Sequence, residues 1–472
     1  MRRRDFIRVS GAAAAGLGAL GLARGGGLYG QARRATARGP NILMITAHDI
    51  GRHIGCYGVE TVRTPNLDRL AERGVRFGNY FSVDCVCSPS RGCMLTGRYP
   101  QSNGLIGLTH QPWGWSFKRG ERHLAAILKE AGYRTTLVGL QHVTSGEPHE
   151  LGYEEVLSEK CIATESVDAT CCELLKARRD DRPFFMKVGF MEVHRPFTVG
   201  EDTERGVFIP HYLKDTAEIR ADLGRFQGTI HFFDRCVGRV LDALERSRVA
   251  DRTLVVFTAD HGIPYPGAKW TLFDPGIEIP LIMYQPGTEL QGGKVFRQLM
   301  SNVDFLPTLL DLVGVGRPGN LEGYSFKDVI EGTRRGSPRS RIYAQRTSHA
   351  LYDNLSRCVR TERYKLIRYF EPGRTVIYPT DAVPQRVAEH VERPRRRPGK
   401  RPVVELYDLR RDPHERKNVA QLPDYGKVVR ELSDELWRWM EQVGDPLLEG
   451  PLVTPYYREA MQDYHERFKQ GG

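Results

Sequence analysis

The chain has 472 residues, of which 40% are hydrophobic and 27% charged, a composition typical of a folded globular protein with a large core. Its formal net charge of +11 is a poor guide to partners, because eight arginines and a single aspartate lie in residues 1–38. The rest of the chain is close to charge balance. This argues against a dedicated nucleic-acid binder and leaves room for a local basic site that receives an acidic substrate.

The first residues predict an export signal. Arg2–Arg4 precede Phe6 and Ile7, and a run of small and apolar residues extends from Val9 to Leu22. A charged segment followed by a short apolar one is typical of a signal peptide, and the paired arginines resemble a twin-arginine signal. We therefore assign residues 1–32 to an export signal and expect a periplasmic or secreted protein. The apolar run is too short for a convincing membrane span, and no later segment predicts one.

Apolar runs that follow helix-like segments predict an α/β domain with a mostly parallel central sheet flanked by helices. In chain order, the predicted strands are 41–47, 134–138, 183–190, 253–258 and 279–284. Amphipathic segments at 123–131 and 228–246 precede the second and fourth of these strands. We expect this larger domain to cover residues 40–335.

Polar residues follow four of the predicted strands. They are His48 and Asp49, His142, His194 and Arg195, and Asp260 and His261. In open α/β sheets, ligands bind at the carboxyl ends of the strands. A single histidine at such a position is usually structural, but four strands that end in this way predict a functional site.

The character of the chain changes near residue 341. Alternating residues at 356–367 predict hairpin strands, and a helix is expected near 425–442. We therefore predict a smaller C-terminal α+β subdomain with an antiparallel sheet over residues 341–445, followed by a tail at 446–472. The basic, proline-rich stretch 393–401 is interpreted as a solvated surface loop.

The most informative segment is the run Cys-Ser-Pro-Ser-Arg-Gly-Cys-Met-Leu-Thr-Gly at 87–97. The nine cysteines of the chain show no regular disulfide or zinc spacing. Pro89 suits the first turn of a helix. Cys87 then lies at the positive end of the helix dipole, where anions bind. Arg91 follows one turn later, with a planar donor group that matches sulfate or phosphate oxygens. The run predicts an anion-binding helix start.

This segment resembles the signature Cys-x-Pro-Ser-Arg-x-x-x-Leu-Thr-Gly of type I sulfatases, members of the alkaline phosphatase-like superfamily. Residues 40–49, 64–71 and 258–262, together with the strand-and-turn segment 405–420, extend the resemblance over almost the whole mature chain. It implies that a formylglycine-generating enzyme oxidises Cys87 to formylglycine, whose hydrated aldehyde attacks the substrate sulfur. Within the family, residues 260–266, together with 181–185 and 194–195, are most similar to the N-sulfoglucosamine sulfohydrolase (sulfamidase) branch.

The resemblance also implies one divalent ion, normally Ca²⁺, held by Asp49, Asp260, His261 and the modified Cys87. One position departs from the family pattern, because relatives usually carry two adjacent acids where this chain has His48 and Asp49. His48 either binds the metal or leaves a site with less negative charge and an altered metal preference.

The catalytic roles implied by the resemblance fall on four further residues. Arg91 steadies the hydrated aldehyde, and Lys269 contacts the sulfate. His194 contacts the sulfate or protonates the leaving group. His142 takes the proton from the second hydroxyl, so that the enzyme returns to the aldehyde and releases sulfate. Histidine suits both proton transfers because its pKa lies near neutrality.

A second departure lies at residue 140. Relatives carry lysine two residues before the histidine that matches His142, whereas this chain has Leu140. Gln141, or a lysine or arginine from elsewhere, substitutes for the lost cation. Otherwise, turnover is slower or the mechanism is modified.

The smaller subdomain is expected to supply substrate contacts, with Gln345, His349 and Arg357 as candidates. The leading interpretation is a sulfatase that acts on a sulfated sugar or a glycosaminoglycan fragment, with an N-sulfo group of glucosamine as one target. An O-sulfatase for the same class of glycan and a phosphonate or phosphodiester hydrolase are alternatives. The altered residues 48 and 140 also leave open a weakly catalytic protein that binds sulfated glycans.

Overall fold

The computed structural model describes residues 39–111, 113–157, 164–178, 181–349, 352–371 and 402–466. The predicted export signal and the basic loop at 393–401 lie outside these residues. Backbone contacts group Arg33–Gly472 into one unit, so the boundary between the two predicted domains stays a prediction. Within the described ranges, no helix has both the length and the apolar character needed to cross a membrane.

The strands of the described residues are β1 (Asn41–Ala47), β2 (Val75–Phe77), β3 (Tyr80–Phe81), β4 (Arg134–Gly139), β5 (Glu155–Leu157), β6 (Phe184–Gly189), β7 (Thr253–Ala259), β8 (Leu281–Tyr284), β9 (Lys294–Phe296), β10 (Met300–Ser301), β11 (Arg341–His349), β12 (Tyr352–Thr361), β13 (Tyr364–Tyr369) and β14 (Val404–Asp408). The five strands predicted for the larger domain correspond to β1, β4, β6, β7 and β8, whereas the short strands β2, β3, β5, β9 and β10 are not predicted by the sequence pattern.

The central sheet has eight strands in the order β5-β4-β6-β1-β7-β8-β2-β9. The pairs β4–β5, β4–β6, β1–β6, β1–β7 and β2–β9 are parallel, whereas β8 is antiparallel to both β7 and β2. The predicted mostly parallel sheet is therefore confirmed. Strands β3 and β10 form a separate two-stranded sheet.

The helices of the described residues are α1 (Pro65–Arg73), α2 (Cys87–Thr96), α3 (Pro100–Asn103), α4 (Leu124–Glu130), α5 (Thr164–Ala177), α6 (Ala217–Glu245), α7 (Asp274–Ile277), α8 (Phe305–Val313), α9 (Lys327–Ile330), α10 (Gly426–Gln442) and α11 (Pro455–Tyr464). Helices α1, α5 and α6 pack on one face of the central sheet, and α4 and α8 pack on the other.

Alternate residues of β1 belong to two different hydrophobic clusters. Leu43 and Ile45 pack in the cluster that contains the apolar residues of α1, α5 and α6. Ile42 and Met44 pack in the cluster that contains those of α4 and α8. Successive side chains of a strand point to opposite faces, so a strand buried on both faces reads as a continuous apolar run. This explains why β1 was recognisable from its sequence.

The C-terminal part forms an antiparallel sheet in the order β11-β12-β13-β14. Helix α10 packs on it through Leu432, Leu436 and Met440, which lie in one cluster with Val359 and Leu366. The predicted hairpin at 356–367 and the helix near 425–442 are both confirmed. The register of the larger sheet then determines where the polar residues after its strands meet.

Candidate active site

The ends of β1 and β7 place two carboxylates side by side. Ala47 pairs with Ala259 in this parallel ladder, so Asp49 and Asp260 follow at the same edge of the sheet. Asp49 has a φ of 58°, a left-handed conformation that aspartate adopts more readily than most residues. Its backbone N–H donates to Asp260 Oδ1 over 3.0 Å. Both side chains are fully buried.

Helix α2 begins beside these carboxylates. Cys87 and Arg91 are four residues apart and therefore lie on one side of the helix. The Arg91 guanidinium donates from Nε and Nη2 to Asp260 Oδ2 over 3.1 and 3.0 Å, and from Nη2 to the Ala47 carbonyl over 3.0 Å. Arg91 is 1% exposed. It thus joins the helix to the sheet and neutralises one of the two carboxylates.

The segment before α2 is held by Asp84. Its Oδ1 accepts a hydrogen bond from the Val86 N–H, and its Oδ2 accepts one from Gln345 Nε2, both over 2.8 Å. Ser90 Oγ donates to the Asp260 carbonyl over 2.5 Å. Burial raises the pKa of Asp84 to about 8. These contacts fix the helix start and with it the thiol at its first residue.

Five buried side chains converge where these elements meet. Each offers one ligand atom, and these atoms all lie within 4.8 Å of one another: His48, Asp49, Cys87, Asp260 and His261. His48 Nδ1 lies 2.7 Å from Asp49 Oδ1 and 3.3 Å from Asp260 Oδ2. His261 Nε2 lies 3.2 Å from Cys87 Sγ and 3.3 Å from Asp49 Oδ1. The structure therefore brings together every predicted metal ligand, in a cluster that could hold a metal ion.

Lys269 lies against the Asp49 carboxylate. Its Nζ is 2.6 Å from Asp49 Oδ2, and the side chain is 1% exposed. Burial lowers the pKa of the Lys269 ammonium, but the negative charge of Asp49 outweighs burial and the pKa lies above its ordinary value. Lys269 is therefore a permanent cation at neutral pH. Each carboxylate of the cluster is thus paired with one buried cation, since Arg91 binds Asp260.

His142 follows β4 with a φ of 59°. Its ring centroid lies 5.7 Å from that of His48, and its Nε2 lies 3.3 Å from Nδ1 of the exposed His110. Within the described ranges, His142 Nδ1 has no hydrogen-bond partner. Burial lowers the pKa of His142 well below its ordinary value. The ring is therefore uncharged at neutral pH, and it is a weaker base than an exposed histidine.

His194 lies at the more open side of the cluster. Its ring meets that of His48 edge to face at a centroid distance of 4.7 Å, and its Nε2 is 3.8 Å from Asp49 Oδ2. Its Nδ1 donates to the Arg195 carbonyl over 2.6 Å, which fixes the ring and leaves Nε2 facing the cluster. The side chain remains 26% exposed. Burial lowers the pKa of His194.

The Cys87 side chain is buried, and burial raises the pKa of its thiol. Nucleophilic attack by cysteine requires the thiolate. In its unmodified form, Cys87 is therefore a poor nucleophile at neutral pH, although it lies at the centre of the cluster.

Two of the three predicted substrate contacts, Gln345 and Arg357, do not belong to this cluster. Gln345 is buried against Asp84. Arg357 is fully buried, and its Nη2 donates to Asp445 Oδ1 over 2.9 Å. The side chain of His349 lies outside the described part of the chain. Gln345 and Arg357 thus have structural partners, and their contacts with a substrate stay predictions.

Sequence reasoning did not identify two residues beside the site, His110 and Lys187. Lys187 lies in the middle of β6 and is fully buried, and its Nζ donates to the Leu140 carbonyl over 2.8 Å. Lys187 thus contacts the backbone at Leu140, the residue that replaces the lysine expected from the family pattern. The available signal was a lone lysine within an otherwise apolar strand.

We expect the free energy of unfolding of Lys187→Met, measured relative to that of the wild type, to increase as the pH falls from about 10 towards 7. Burial, with a smaller contribution from Arg91, lowers the pKa of Lys187 well below its ordinary value. Below about pH 10.4, the unfolded chain therefore takes up a proton that the folded protein does not. This difference lowers wild-type stability by up to about 1.4 kcal/mol per pH unit until the pKa of folded Lys187 is reached. Urea unfolding at several pH values measures the effect.

Lys365 provides the control for this prediction. It is also a fully buried lysine, but its Nζ lies 2.8 Å from Glu415 Oε1 and also binds Asp274. Although burial lowers the pKa of Lys365, Asp274 raises it above the ordinary value. A Lys365→Met variant should therefore lose stability at pH 7. A difference between Lys187→Met and wild type that does not change with pH would contradict the prediction.

Comparisons with known proteins identify the family of this chain. The Sulfatase family model matches residues 40–315, which include all five clustered side chains. The model for the C-terminal part of N-sulphoglucosamine sulphohydrolase matches residues 267–397. Because the first match covers more than half of the sequence, the chain belongs to the sulfatase family, whose members are sulfuric ester hydrolases. The predicted family, fold class and enzyme class are thereby confirmed.

Individual relatives span most of the chain. The human N-sulphoglucosamine sulphohydrolase is 28% identical over 469 aligned residues, which cover 88% of this chain and 92% of the relative. An ulvan-active sulfatase of Formosa agariphila is 29% identical, with coverage of 86% of this chain and 75% of the relative. The solved structure of the phosphonate monoester hydrolase of Agrobacterium radiobacter superposes with a TM-score of 0.66 at 20% identity, covering 86% and 96% of the two chains. At that identity, the likeness concerns the fold alone.

The cluster fits a divalent cation, but it fits calcium only in part. Carboxylate oxygens such as those of Asp49 and Asp260 suit the hard Ca²⁺ ion. The imidazole nitrogens of His48 and His261 are ligands that first-row transition ions prefer. The donor set therefore fits a calcium ion less well than the resemblance implies.

Proposed function

We propose that this chain is an exported sulfatase that hydrolyses a sulfate ester or sulfamate of a sugar or glycosaminoglycan and releases inorganic sulfate. The nucleophile is a formylglycine made from Cys87. The observation that carries the proposal is the position of residue 87, at a helix start among two carboxylates, two histidines and the buried cations Arg91 and Lys269.

The buried cations Lys269 and Arg91 can offset the negative charge of a bound sulfate group. A sulfate group carries negative charge and repels nucleophiles, so it must be neutralised and held in line for attack. Arg91 binds Asp260 and Lys269 binds Asp49, so positive charge lies close to residue 87. Both are almost fully buried, where charge interactions are stronger than in water. Lys269 is proposed to contact the sulfate, and Arg91 to steady the hydrated aldehyde that formylglycine supplies.

The two histidines outside the cluster are proposed to move protons. His142 has no hydrogen-bond partner at Nδ1 among the described residues, and we assign it the proton of the second hydroxyl of residue 87. Its lowered pKa means that contact with the substrate must strengthen it as a base. His194 is partly exposed and turns Nε2 towards Asp49, so it can reach the leaving oxygen or nitrogen of a bound substrate.

One hydroxyl of the aldehyde hydrate would attack the sulfur, the bond from sulfur to the sugar oxygen or nitrogen would break, and the leaving atom would take a proton from protonated His194. His142 would then take the proton of the second hydroxyl, so that the bond from carbon to the sulfate oxygen breaks and the aldehyde and inorganic sulfate are formed. Water restores the aldehyde hydrate.

The choice of substrate class is supported by sequence rather than by geometry. The match to the C-terminal part of N-sulphoglucosamine sulphohydrolase and the human relative of that name favour N-sulfoglucosamine. The ulvan-active relative supports the second candidate, a sulfate ester of a sugar. A divalent cation at the five-residue cluster would polarise a sulfate oxygen.

Export and maturation complete the proposal. The twin-arginine-like segment at residues 1–32 would carry the folded enzyme to the periplasm or the exterior. Because that route transports folded proteins, a formylglycine-generating enzyme would modify Cys87 in the cytoplasm before export.

Peptide mass spectrometry across Cys87, on protein isolated from its native host, is the first test. The proposal expects a mass in which the thiol sulfur is replaced by an aldehyde oxygen. Unmodified cysteine in all of that material would contradict the formylglycine mechanism and favour a sulfated-glycan-binding protein.

A substrate panel then separates the enzyme candidates. Release of sulfate from N-sulfoglucosamine in preference to 6-O-sulfo sugars supports the sulfamidase assignment, and the reverse order identifies an O-sulfatase. Faster turnover of a phosphonate monoester or a phosphodiester than of every sulfated substrate would overturn the sulfatase proposal.

A further inference from the structure

The nitrogen ligands of the cluster point to a particular class of metal ion. His48 Nδ1 is the ring atom aimed at the two carboxylates, 2.7 Å from Asp49 Oδ1 and 3.3 Å from Asp260 Oδ2. His261 Nε2 approaches the same Asp49 oxygen over 3.3 Å. Both histidines are at most 1% exposed. The imidazoles are therefore built into the centre of the cluster and do not line its rim.

The two carboxylates offer four oxygen atoms at most, and each of these atoms already has a polar neighbour, His48 Nδ1 in the case of Asp49 Oδ1. Asp260 Oδ2 accepts two hydrogen bonds from Arg91, and Asp260 Oδ1 accepts the backbone N–H groups of Asp49 and His261. Asp49 Oδ2 binds the Lys269 ammonium. Calcium takes six to eight oxygen ligands, often from carboxylates that bind through both oxygens. Two carboxylates cannot supply that number of oxygens, whereas a four-coordinate ion needs only one oxygen from each carboxylate beside the two imidazole nitrogens.

The charge of the centre leads to the same conclusion. Its two carboxylates are matched by two buried cations, Arg91 on Asp260 and Lys269 on Asp49. Calcium binding depends strongly on an excess of carboxylate charge, because its contacts are largely ionic. Imidazole nitrogens bind first-row transition ions without contributing charge, and these ions accept fewer ligands.

We propose that this centre binds a first-row transition ion of the Zn²⁺ class in preference to Ca²⁺, with His48 and His261 as nitrogen ligands beside Asp49 and Asp260. The inference deepens the proposed function by naming the ion of the same site. Its test measures metal binding without turnover, so it can fail while the sulfatase proposal stands, and the reverse also holds.

The experiment begins with the chelator-treated full chain. Dialysis against equal concentrations of Zn²⁺, Mn²⁺ and Ca²⁺ is followed by elemental analysis of the bound metal, and competition with a chromophoric chelator gives each Kd. We expect Zn²⁺ to bind at least about 100-fold more tightly than Ca²⁺. Substitution with Co²⁺ should give the visible absorption bands of a nitrogen-ligated ion. Equal or tighter binding of Ca²⁺ would overturn the proposal.

Variants identify the ligands that set the preference. A His48→Asp change replaces nitrogen by oxygen, so the ratio of the Zn²⁺ to the Ca²⁺ affinity should fall by about 10-fold or more. His123→Asn changes a buried histidine that caps α4 through Nδ1 and should leave the ratio unchanged. All measurements are repeated with Cys87→Ala, in which the preference for Zn²⁺ should persist. Loss of the preference in that background, or an unchanged ratio in His48→Asp, would show that the histidines do not set it.

Discussion

A Cys87→Ala variant should lose sulfate release almost completely, with kcat reduced on the order of 10⁴-fold or more, as expected when a covalent nucleophile is removed. The residue that would become formylglycine lies 3.2 Å from His261 Nε2. Alanine keeps the backbone and the helix start but can supply neither an aldehyde nor a thiol. Initial-rate measurements on the substrate identified by the panel, with metal content checked, give the result.

The fold should survive this change, because removal of one buried sulfur atom costs only about 1 kcal/mol. Cys93 supplies the matched control, since it is fully buried in the same helix and lies outside the five-residue cluster. Cys93→Ala should therefore retain most of the wild-type kcat while losing similar stability. Activity of Cys87→Ala above one-hundredth of wild type, or equal losses in both variants, would contradict the assigned role of Cys87.

The site could be predicted to the extent that it depends on where strands end. Asp49, His142, His194 and Asp260 each follow an apolar strand, and parallel pairing brings the ends of such strands to one edge. This reasoning requires only the order of apolar runs along the sequence. The family signature then added Cys87, which lies on a helix and not on the sheet.

Residues that act across the fold could not be predicted in this way. Arg357 lies in a strand of the smaller sheet, and its sequence neighbours do not reveal its partner Asp445, which is 88 residues away. Lys187 lies on β6 and reaches the carbonyl of Leu140, which follows the end of the adjacent strand β4, and this contact depends on the register of the two strands. The link between Arg91 and Asp260 likewise depends on how α2 packs on the sheet. Such contacts follow from tertiary packing, which periodicity does not encode.

Asp260→Asn should cause the largest combined loss of stability and metal binding. The Asp260 carboxylate accepts two hydrogen bonds from Arg91, which is 1% exposed. Breaking a buried ion pair by removal of one charge costs about 3–5 kcal/mol, because the other charge is left without compensation. The same change removes a carboxylate from the metal cluster. Chemical unfolding and metal analysis at pH 7 measure the two effects.

The pH dependence of this loss has a definite sign. Burial raises the pKa of Asp260, but His261 and Arg91 outweigh burial and hold the pKa below its ordinary value. The carboxylate therefore stabilises the fold fully above about pH 4, the ordinary pKa of an unfolded aspartate. Below that pH, the folded protein must give up this stabilisation, so the difference between wild type and Asp260→Asn should shrink as the solution becomes more acidic.

Asp304→Asn separates the two effects. Asp304 is fully buried and binds the Arg339 guanidinium, with Nε 2.8 Å from Oδ2, at a position outside the metal cluster. Its loss should lower the free energy of unfolding by a similar amount, since it also leaves a buried arginine without its carboxylate. Metal binding should remain at the wild-type level, because the ligand set is unchanged. If both variants lost the metal equally, destabilisation would explain the loss in Asp260→Asn. That result would contradict the assignment of Asp260 as a metal ligand.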